Sequence, residues 1–407
     1  MAVLSDATSD TRRETEVSRA DERRALGVAG GAHALHDGYT DLIYVMLPIW
    51  QSEFGLAYAQ IGALRGLFSG TMAGFQIPSG LLAERFGAAR VLACGTALAG
   101  LGYCLAGASS GLGVLLIALF LSGLGASTQH PLASALVARA FAGRRSLKAL
   151  GTYNFAGDIG KMTVPALATL LIALMPWRPS LAVLGLMGVV AAVAVFVLTP
   201  RFPPEVPSQS KPADGGVSGV EGGRFGFSML LAIGMLDSAT RMAFLTFLPF
   251  VLTAKGASLQ GIGLALTFVF AGGAAGKLVC AFIGARIGVI PTVLLTEGLT
   301  AVAILALLPL PLEPSYALLP LIGVALNGTS SVLYGSVPVL VSAEKRARAF
   351  SVFYTGTIGS GALAPVLYGF VGDAFGVTTT VIVIACVVLL TLPLALALRP
   401  RLPADLR

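Results

Sequence analysis

The chain has 407 residues, 56% of them hydrophobic and only 12% charged, with 50 glycines and 22 prolines. Ordinary globular chains carry about 25% charged residues, so this composition excludes a set of soluble domains, a disordered chain and a collagen-like one, and places the protein in a membrane. The net charge of +7 is carried mostly by loops between apolar runs, where Lys and Arg orient spans, so nucleic acid is not expected as a partner.

Residues 1–25 form a polar tail with Arg12, Arg13, Arg19, Arg23 and Arg24. The apolar run from Leu26 is too long for a signal peptide and lacks its small-residue cleavage site, so it reads as an uncleaved first span. Windows of about 20 residues then place spans at 26–50, 59–84, 90–109, 112–140, 147–174, 180–199, 227–252, 259–284, 291–309, 315–343, 347–371 and 377–398. The stretch 200–226 has the Pro, Gly, Ser and charge content of a linker. It separates an N-terminal half at 26–199 from a C-terminal half at 227–398, with a short tail at 399–407. The fold class expected is an all-α membrane protein of twelve transmembrane helices in two six-helix repeats.

Of the 27 Lys and Arg, 21 fall in the tails, the linker and alternate loops on one side, against Arg178 and Lys255 on the other. That bias puts both termini in the cytoplasm of a cell whose inner membrane the chain crosses many times. The halves repeat: a shift of 201 carries Pro48 onto Pro249 and Arg85 and Gly87 onto Arg286 and Gly288, and a shift of 200 carries Pro165 onto Pro365. Parallel six-helix repeats put a substrate site at their interface near mid-membrane and let one half rock against the other. The four cysteines, Cys94, Cys104, Cys280 and Cys386, lie in apolar runs without metal-ligand spacing and read as buried core thiols.

Some of these residues resemble known transporters. The segment Gly80-Leu-Leu-Ala-Glu84-Arg85-Phe-Gly87-Ala-Ala-Arg90 resembles the loop motif G-x-L-a-D-R-x-G-R-[RK] of the major facilitator superfamily, with Glu84 for the usual Asp and Ala88 for the usual basic residue. The resemblance covers the whole chain and implies the major facilitator fold, with Gly80, Glu84, Arg85, Gly87 and Arg90 as gating residues. His33, His36 and Asp37, the run Gln51-Ser-Glu-Phe-Gly-Leu56, and Gln129-His130-Pro131 are similar to the fosmidomycin-resistance branch, a group of drug/proton antiporters. His36 stands where that branch usually has Asn. Asp158 and Lys161 add two charges to a segment that is mostly uncharged there.

Ionisable residues inside spans cost about 2.5 to 3.5 kcal/mol each, so each is a functional candidate. Asp37 lies about 17 Å along the first span, near mid-membrane. His33, Asp37 and Asp41 follow at i, i+4 and i+8, a stripe expected to face the central cavity. Two uses of the stripe stand open. Asp37 or Asp41 carries a proton, with His33 or His130 as relay and Asp158 as a further acid, or the acids neutralise a cation such as Arg65 and hold helices together. Two His and two Asp also suit a divalent cation, although no metal is assigned. Asp37 and Asp41 correspond, 200 residues on, to Asp237 and Arg241. Arg241 either grips an anionic group or pairs with Asp237 within its helix, and Asp158 and Lys161 pose the same choice. Lys277 reads as an unpaired substrate contact. His36, Arg65, Asn154, Gln129 and Tyr39 complete the candidate substrate set, and Glu297 reads as a peripheral, structural acid.

No Walker sequence, phosphate-cradling loop or Ser/His/Asp order supports an enzyme, and no cofactor is expected. The function expected is a proton-coupled secondary transporter working as a monomer by alternating access, an exporter by antiport of a small polar, anionic or drug-like compound. The alternatives are an importer or symporter of an organic anion, or a divalent-metal transporter using the His/Asp stripe. The partners are then the small-molecule substrate, protons and the lipid bilayer.

Overall fold

The computed structural model describes residues 18–141, 144–200, 202, 223–342 and 346–403. Most of the expected tail at 1–25, most of the linker at 200–226 and residues 404–407 lie outside the described residues.

Helix α1 (Arg19–Phe54) starts upstream of expectation because Ser18 caps it, accepting from the Asp21 amide at 3.1 Å, and it ends at Gly55 with φ +62°. Helix α2 runs Tyr58–Gly74 and resumes over Gln76–Phe86; α3 is Ala88–Gly107; α4 runs Leu112–Ala126 and resumes over Gln129–Ala140. Each break precedes a proline. Pro78 and Pro131 provide no N–H for the carbonyl four residues back, and their rings crowd it, so the helix opens at Phe75 and at Ser127–Thr128. Helices α5 (Arg144–Leu174) and α6 (Trp177–Leu198) complete the first half. The second half holds α7 (Gly223–Ala254), α8 (Leu259–Ile287), α9 (Val289–Leu307) and α10 (Leu312–Leu340). The run Arg346–Val388 breaks at Gly376, φ +80°, into α11 and the start of α12, which Thr391–Leu398 finishes.

Among the described residues, nine helical stretches are long and apolar enough to cross a membrane. One of them, Arg348–Arg401, contains both α11 and α12. With α1, made more polar by its His/Asp stripe, and α2, broken at Phe75, the crossings number twelve, as expected.

The repeat is visible in the packing. In the first half α1 packs on α5 and α3 on α6; in the second, six helices on, α7 packs on α11 and α9 on α12, with α8 against α10. The halves meet along α2–α11 and α5–α8. Left-handed glycines recur at the same offset of 201, Gly55 with Gly256 and Gly87 with Gly288, so the sequence repeat is also a repeat of turns. Leu170, Leu174, Val190, Val197 and Phe282 are exposed where lipid replaces water. Cys94 and Cys386 join them on the outside, correcting the reading of all four thiols as buried.

Helices α1 and α5 touch backbone to backbone, because a Cβ at Gly160 would lie 1.8 Å from the Ala34 carbonyl oxygen. Gly160→Leu is expected to cost more than about 3 kcal/mol and to abolish the folded, monodisperse protein in detergent. Gly151→Leu, in open space, should leave the elution profile and unfolding temperature unchanged. A Gly160→Leu protein as stable as the parent would contradict this packing.

Candidate functional site

The tight α1–α5 contact makes room for charge. Gly157 is small where a Cβ would come within 2.6 Å of Asp37 Oδ2 and 2.7 Å of the His33 ring. Asp37 Oδ2 lies 3.2 Å from Lys161 Nζ, and Oδ1 lies 3.3 Å from His33 Nε2 and 3.8 Å from His36 Nε2. Lys161 Nζ is also 3.9 Å from Asp158 Oδ1, which accepts from Lys277 Nζ at 2.6 Å. Acid and base thus alternate along Asp37, Lys161, Asp158 and Lys277, from α1 through α5 to α8 in the other half.

This corrects one expectation: Lys277, read as unpaired, is paired. Lys161 does meet Asp158 on its own helix but sits nearer to Asp37 on another. Neither partner was readable from one sequence, because both contacts depend on which helices pack together.

A cavity of about 140 Å³ lies between the halves, lined by Asp41, Tyr44, Lys161, Arg241, Lys277 and Asn327 among others. Of the stripe on α1, only Asp41 reaches it; His33, His36 and Asp37 turn toward α4 and α5. Eight residues at 3.6 per turn rotate the helix by about 80°, enough to separate His33 from Asp41. Among the described residues, Asp41 makes no ion pair within 4 Å, and Lys161, Arg65 and Arg241 are the cations within electrostatic reach.

Arg241 lines this cavity and a smaller recess that holds Asp237, Tyr334 and Thr357, and its Nε has no hydrogen-bond partner among the described residues. It makes no ion pair within 4 Å with Asp237 one turn away. Glu297, expected at the periphery, is only 1% exposed, and its Oε1 has no hydrogen-bond partner among the described residues.

Other candidates are spent elsewhere. Arg65 is 1% exposed; it donates to Ser69 Oγ and, at 3.1 Å, to the Tyr44 hydroxyl, which reaches Met242 Sδ across the halves at 3.3 Å. Tyr39 donates its hydroxyl to the Leu184 carbonyl and so ties α1 to α6. Asn154 is exposed and lines none of the cavities described here. Gln129 and His36 line a separate pocket of about 20 Å³ inside the first half. His130 does not line that pocket, but its Nε2 lies 3.3 Å from His36 Nε2.

The two ends of the seam differ. At the Gly55 end it is closed: Asp373, which sequence reading missed, accepts from the Tyr58 and Ala59 amides at 2.6 and 3.1 Å, capping α2 from the other half. A Cβ at Gly62 there would lie 2.1 Å from the Pro365 carbonyl oxygen. Nothing in the sequence around Asp373 separates it from a helix-end turn residue. The two loop cations of this end are occupied too. Arg178 pairs with Glu53 at 2.7 Å, and Lys255, its ammonium pushed down in pKa by partial burial, donates to the Leu308 carbonyl at 2.8 Å. At the Gly87 end Glu84, Arg85 and Arg90 are exposed and make no ion pair within 4 Å among the described residues, while Gly80 leaves open space and Gly87 turns with φ +90°. The motif expected to gate this end therefore makes no ion pair within 4 Å among the described residues.

A family model described as Major Facilitator Superfamily matches residues 30–229 and again 230–407, once per half. The fosmidomycin resistance protein of Escherichia coli (strain K12) is 30% identical over 154 residues, 37% of this chain and 38% of that protein. A probable 4-methylmuconolactone transporter of Cupriavidus pinatubonensis is 27% identical over 277 residues, 66% of this chain and 64% of that one. The matches thus span less than two thirds of either relative. A crystal structure of a bacterial homolog of the human lysosomal transporter Spinster, inward-facing and occupied, superposes with a TM-score of 0.80 at 16% identity, covering 96% of this chain and 99% of that one, which shows a shared fold. With the family model matched across both halves, and a cavity between halves built from charged side chains, the chain belongs to the Major Facilitator Superfamily and is a multi-pass membrane transporter rather than an enzyme.

Proposed function

We propose that this transporter carries a small organic anion together with protons, by alternating access through the cavity between its halves. The observation that carries the reading is Arg241: a permanently charged guanidinium lines the cavity with its Nε unpartnered among the described residues, while Lys161 and Lys277 beside it are already matched by acids. A planar donor fork of this kind binds carboxylate, sulfonate or phosphonate with two bonds.

Asp41 supplies the coupling. When ionised it competes with the substrate for the fields of Arg241 and Lys161; when protonated it leaves them to the anion. Proton and anion then favour each other's binding, which is the thermodynamic condition for symport. This charge arrangement favours the organic-anion symporter over the exporter by antiport. Asp37, held at 3.2 Å by Lys161, serves instead to keep that lysine in place. The loop cations assign the Gly87 face to the cytoplasm of the inner membrane, so the closed Gly55 end corresponds to an inward-facing state. One chain contains both halves of the cavity, in keeping with function as a monomer.

The test is a thermal-shift screen of purified protein against carboxylates, sulfonates and phosphonates, since a ligand of the folded state raises the unfolding temperature. Arg241→Gln should weaken the best binder about ten- to a hundredfold, the value of a hydrogen bond to a charged group. An unchanged affinity in Arg241→Gln would remove the anion reading.

A further inference from the structure

The chain has three histidines in 407 residues, and all three converge in the first half, away from the transport cavity. The His130 ring centroid lies 5.3 Å from that of His33 and 4.7 Å from that of His36. The anion reading uses none of them.

We infer that the N-terminal half binds one divalent transition-metal ion through His33, Asp37 and His130, with His36 as the fourth ligand. One ligand atom from each of His33, Asp37 and His130 lies within 4.8 Å of the others. His33 Nε2 is 3.3 Å from Asp37 Oδ1, and His36 Nε2 is 3.3 Å from His130 Nε2 and 3.8 Å from Asp37 Oδ1. A tetrahedral ion with bonds of about 2.0 to 2.1 Å holds its ligand atoms about 3.3 Å apart. Two of these edges already have that length, and the third is half an ångström longer.

The hydrogen bonds around the cluster point the same way. A carbonyl only accepts, so the 2.9 Å contact from His33 Nδ1 to the Tyr153 carbonyl fixes the ring proton on Nδ1. In the neutral ring, Nε2 then presents its lone pair toward Asp37 Oδ1, and this buried Nε2 has no hydrogen-bond partner among the described residues. A lone pair facing a carboxylate is repulsive unless a cation lies between them. Donation of the second ring nitrogen to a carbonyl is also how metal-bound histidines are oriented. Asp37 is arranged to match, with Oδ2 occupied by Lys161 and Oδ1 free to bind through one oxygen. Three imidazoles and one carboxylate, without thiolate, suit the class of Zn²⁺, Co²⁺ and Ni²⁺ rather than Ca²⁺ or Mg²⁺.

The ligands all belong to α1 and α4 of one half, and the Tyr153 carbonyl to α5 of the same half. Cargo must be exposed alternately to the two sides, which requires a site between the halves. This site stays within one, so the ion is a resident clamp of the N-terminal bundle and not the substrate. A pocket of about 20 Å³ lies beside the fourth ligand, His36. The inference goes beyond the anion reading and holds with or without it.

The experiment uses the full chain in detergent, stripped with a chelator and titrated with Co²⁺. One equivalent per chain should develop the visible ligand-field bands of four-coordinate cobalt, and Zn²⁺ should bleach them. His130→Gln should weaken Co²⁺ binding more than about a hundredfold, and His36→Asn by about tenfold or more. Lys255→Gln, whose ammonium is bound to the Leu308 carbonyl at the Gly55 end, should leave it unchanged. Anion affinity measured on the same samples separates failure of this site from failure of the transport site. Absence of the bands in protein that keeps its elution profile and unfolding transition overturns the proposal, as do bands that persist in His130→Gln. If His130→Gln does not fold, the His36→Asn titration decides: an affinity equal to the parent's overturns it.

Discussion

Asp41→Asn is expected to bind the anion as well at high pH as at low pH, and to equilibrate it across a membrane without accumulating it. Asn keeps the shape and most hydrogen bonds of a protonated Asp but never carries charge, so the variant imitates the loaded carrier permanently. In the parent, ionised Asp41 competes for Lys161 and Arg241 across the cavity, and anion affinity falls as pH rises. One coupled proton contributes about 1.4 kcal/mol per pH unit, a tenfold accumulation. Asp41→Asn reduces that to unity. The measurement is uptake into sealed vesicles under an imposed pH gradient, beside binding at two pH values. Undiminished uphill uptake by the variant would move coupling to Asp158, the remaining acid of the cavity.

Gly62→Leu is expected to leave both halves folded and to stop transport. Its side chain meets the Pro365 carbonyl, where even a Cβ would lie at 2.1 Å, so α2 and α11 can no longer close at the Gly55 end. The halves touch there by their backbones, and no rotamer relieves the clash. Asp373→Ala is a milder version: losing two amide bonds to a carboxylate, each worth about 1.5 to 3 kcal/mol, should shift the balance toward opening at that end by more than tenfold. Both are checked by labelling Tyr58→Cys with a membrane-impermeant maleimide from the Gly55 side. Labelling should be low with the parent seam and high with Gly62→Leu or Asp373→Ala. Equal labelling in all three backgrounds, or normal transport by Gly62→Leu, would show that this contact does not gate.

The span pattern and the repeat were legible because each depends on local chemistry. Apolar length sets the crossings, and the offset that carries Gly87 onto Gly288 sets a matching turn, whereas the breaks before Pro78 and Pro131 and the Gly55/Gly256 pair came with the structure. The residues facing the site were also legible as charges that a membrane does not tolerate without a use. Their partners were not. Lys161 turned to Asp37 and Lys277 to Asp158, because helix packing brings together side chains more than a hundred positions apart, which the spacing within one helix does not reveal. Tyr39 was lost to the site for the same reason, its hydroxyl meeting the Leu184 carbonyl of α6. Asp373 carried no signal at all, since its partners are backbone amides.

The most direct test of the transport account is the sign of proton movement. Proteoliposomes holding the purified chain and an internal pH-sensitive dye are given, from outside and without a pre-set gradient, the anion with the largest thermal shift. Co-movement of proton and anion predicts acidification of the interior, lost in Arg241→Gln and Asp41→Asn. Alkalinisation of the interior, the result for antiport, would contradict the account, and so would anion entry with no proton flux.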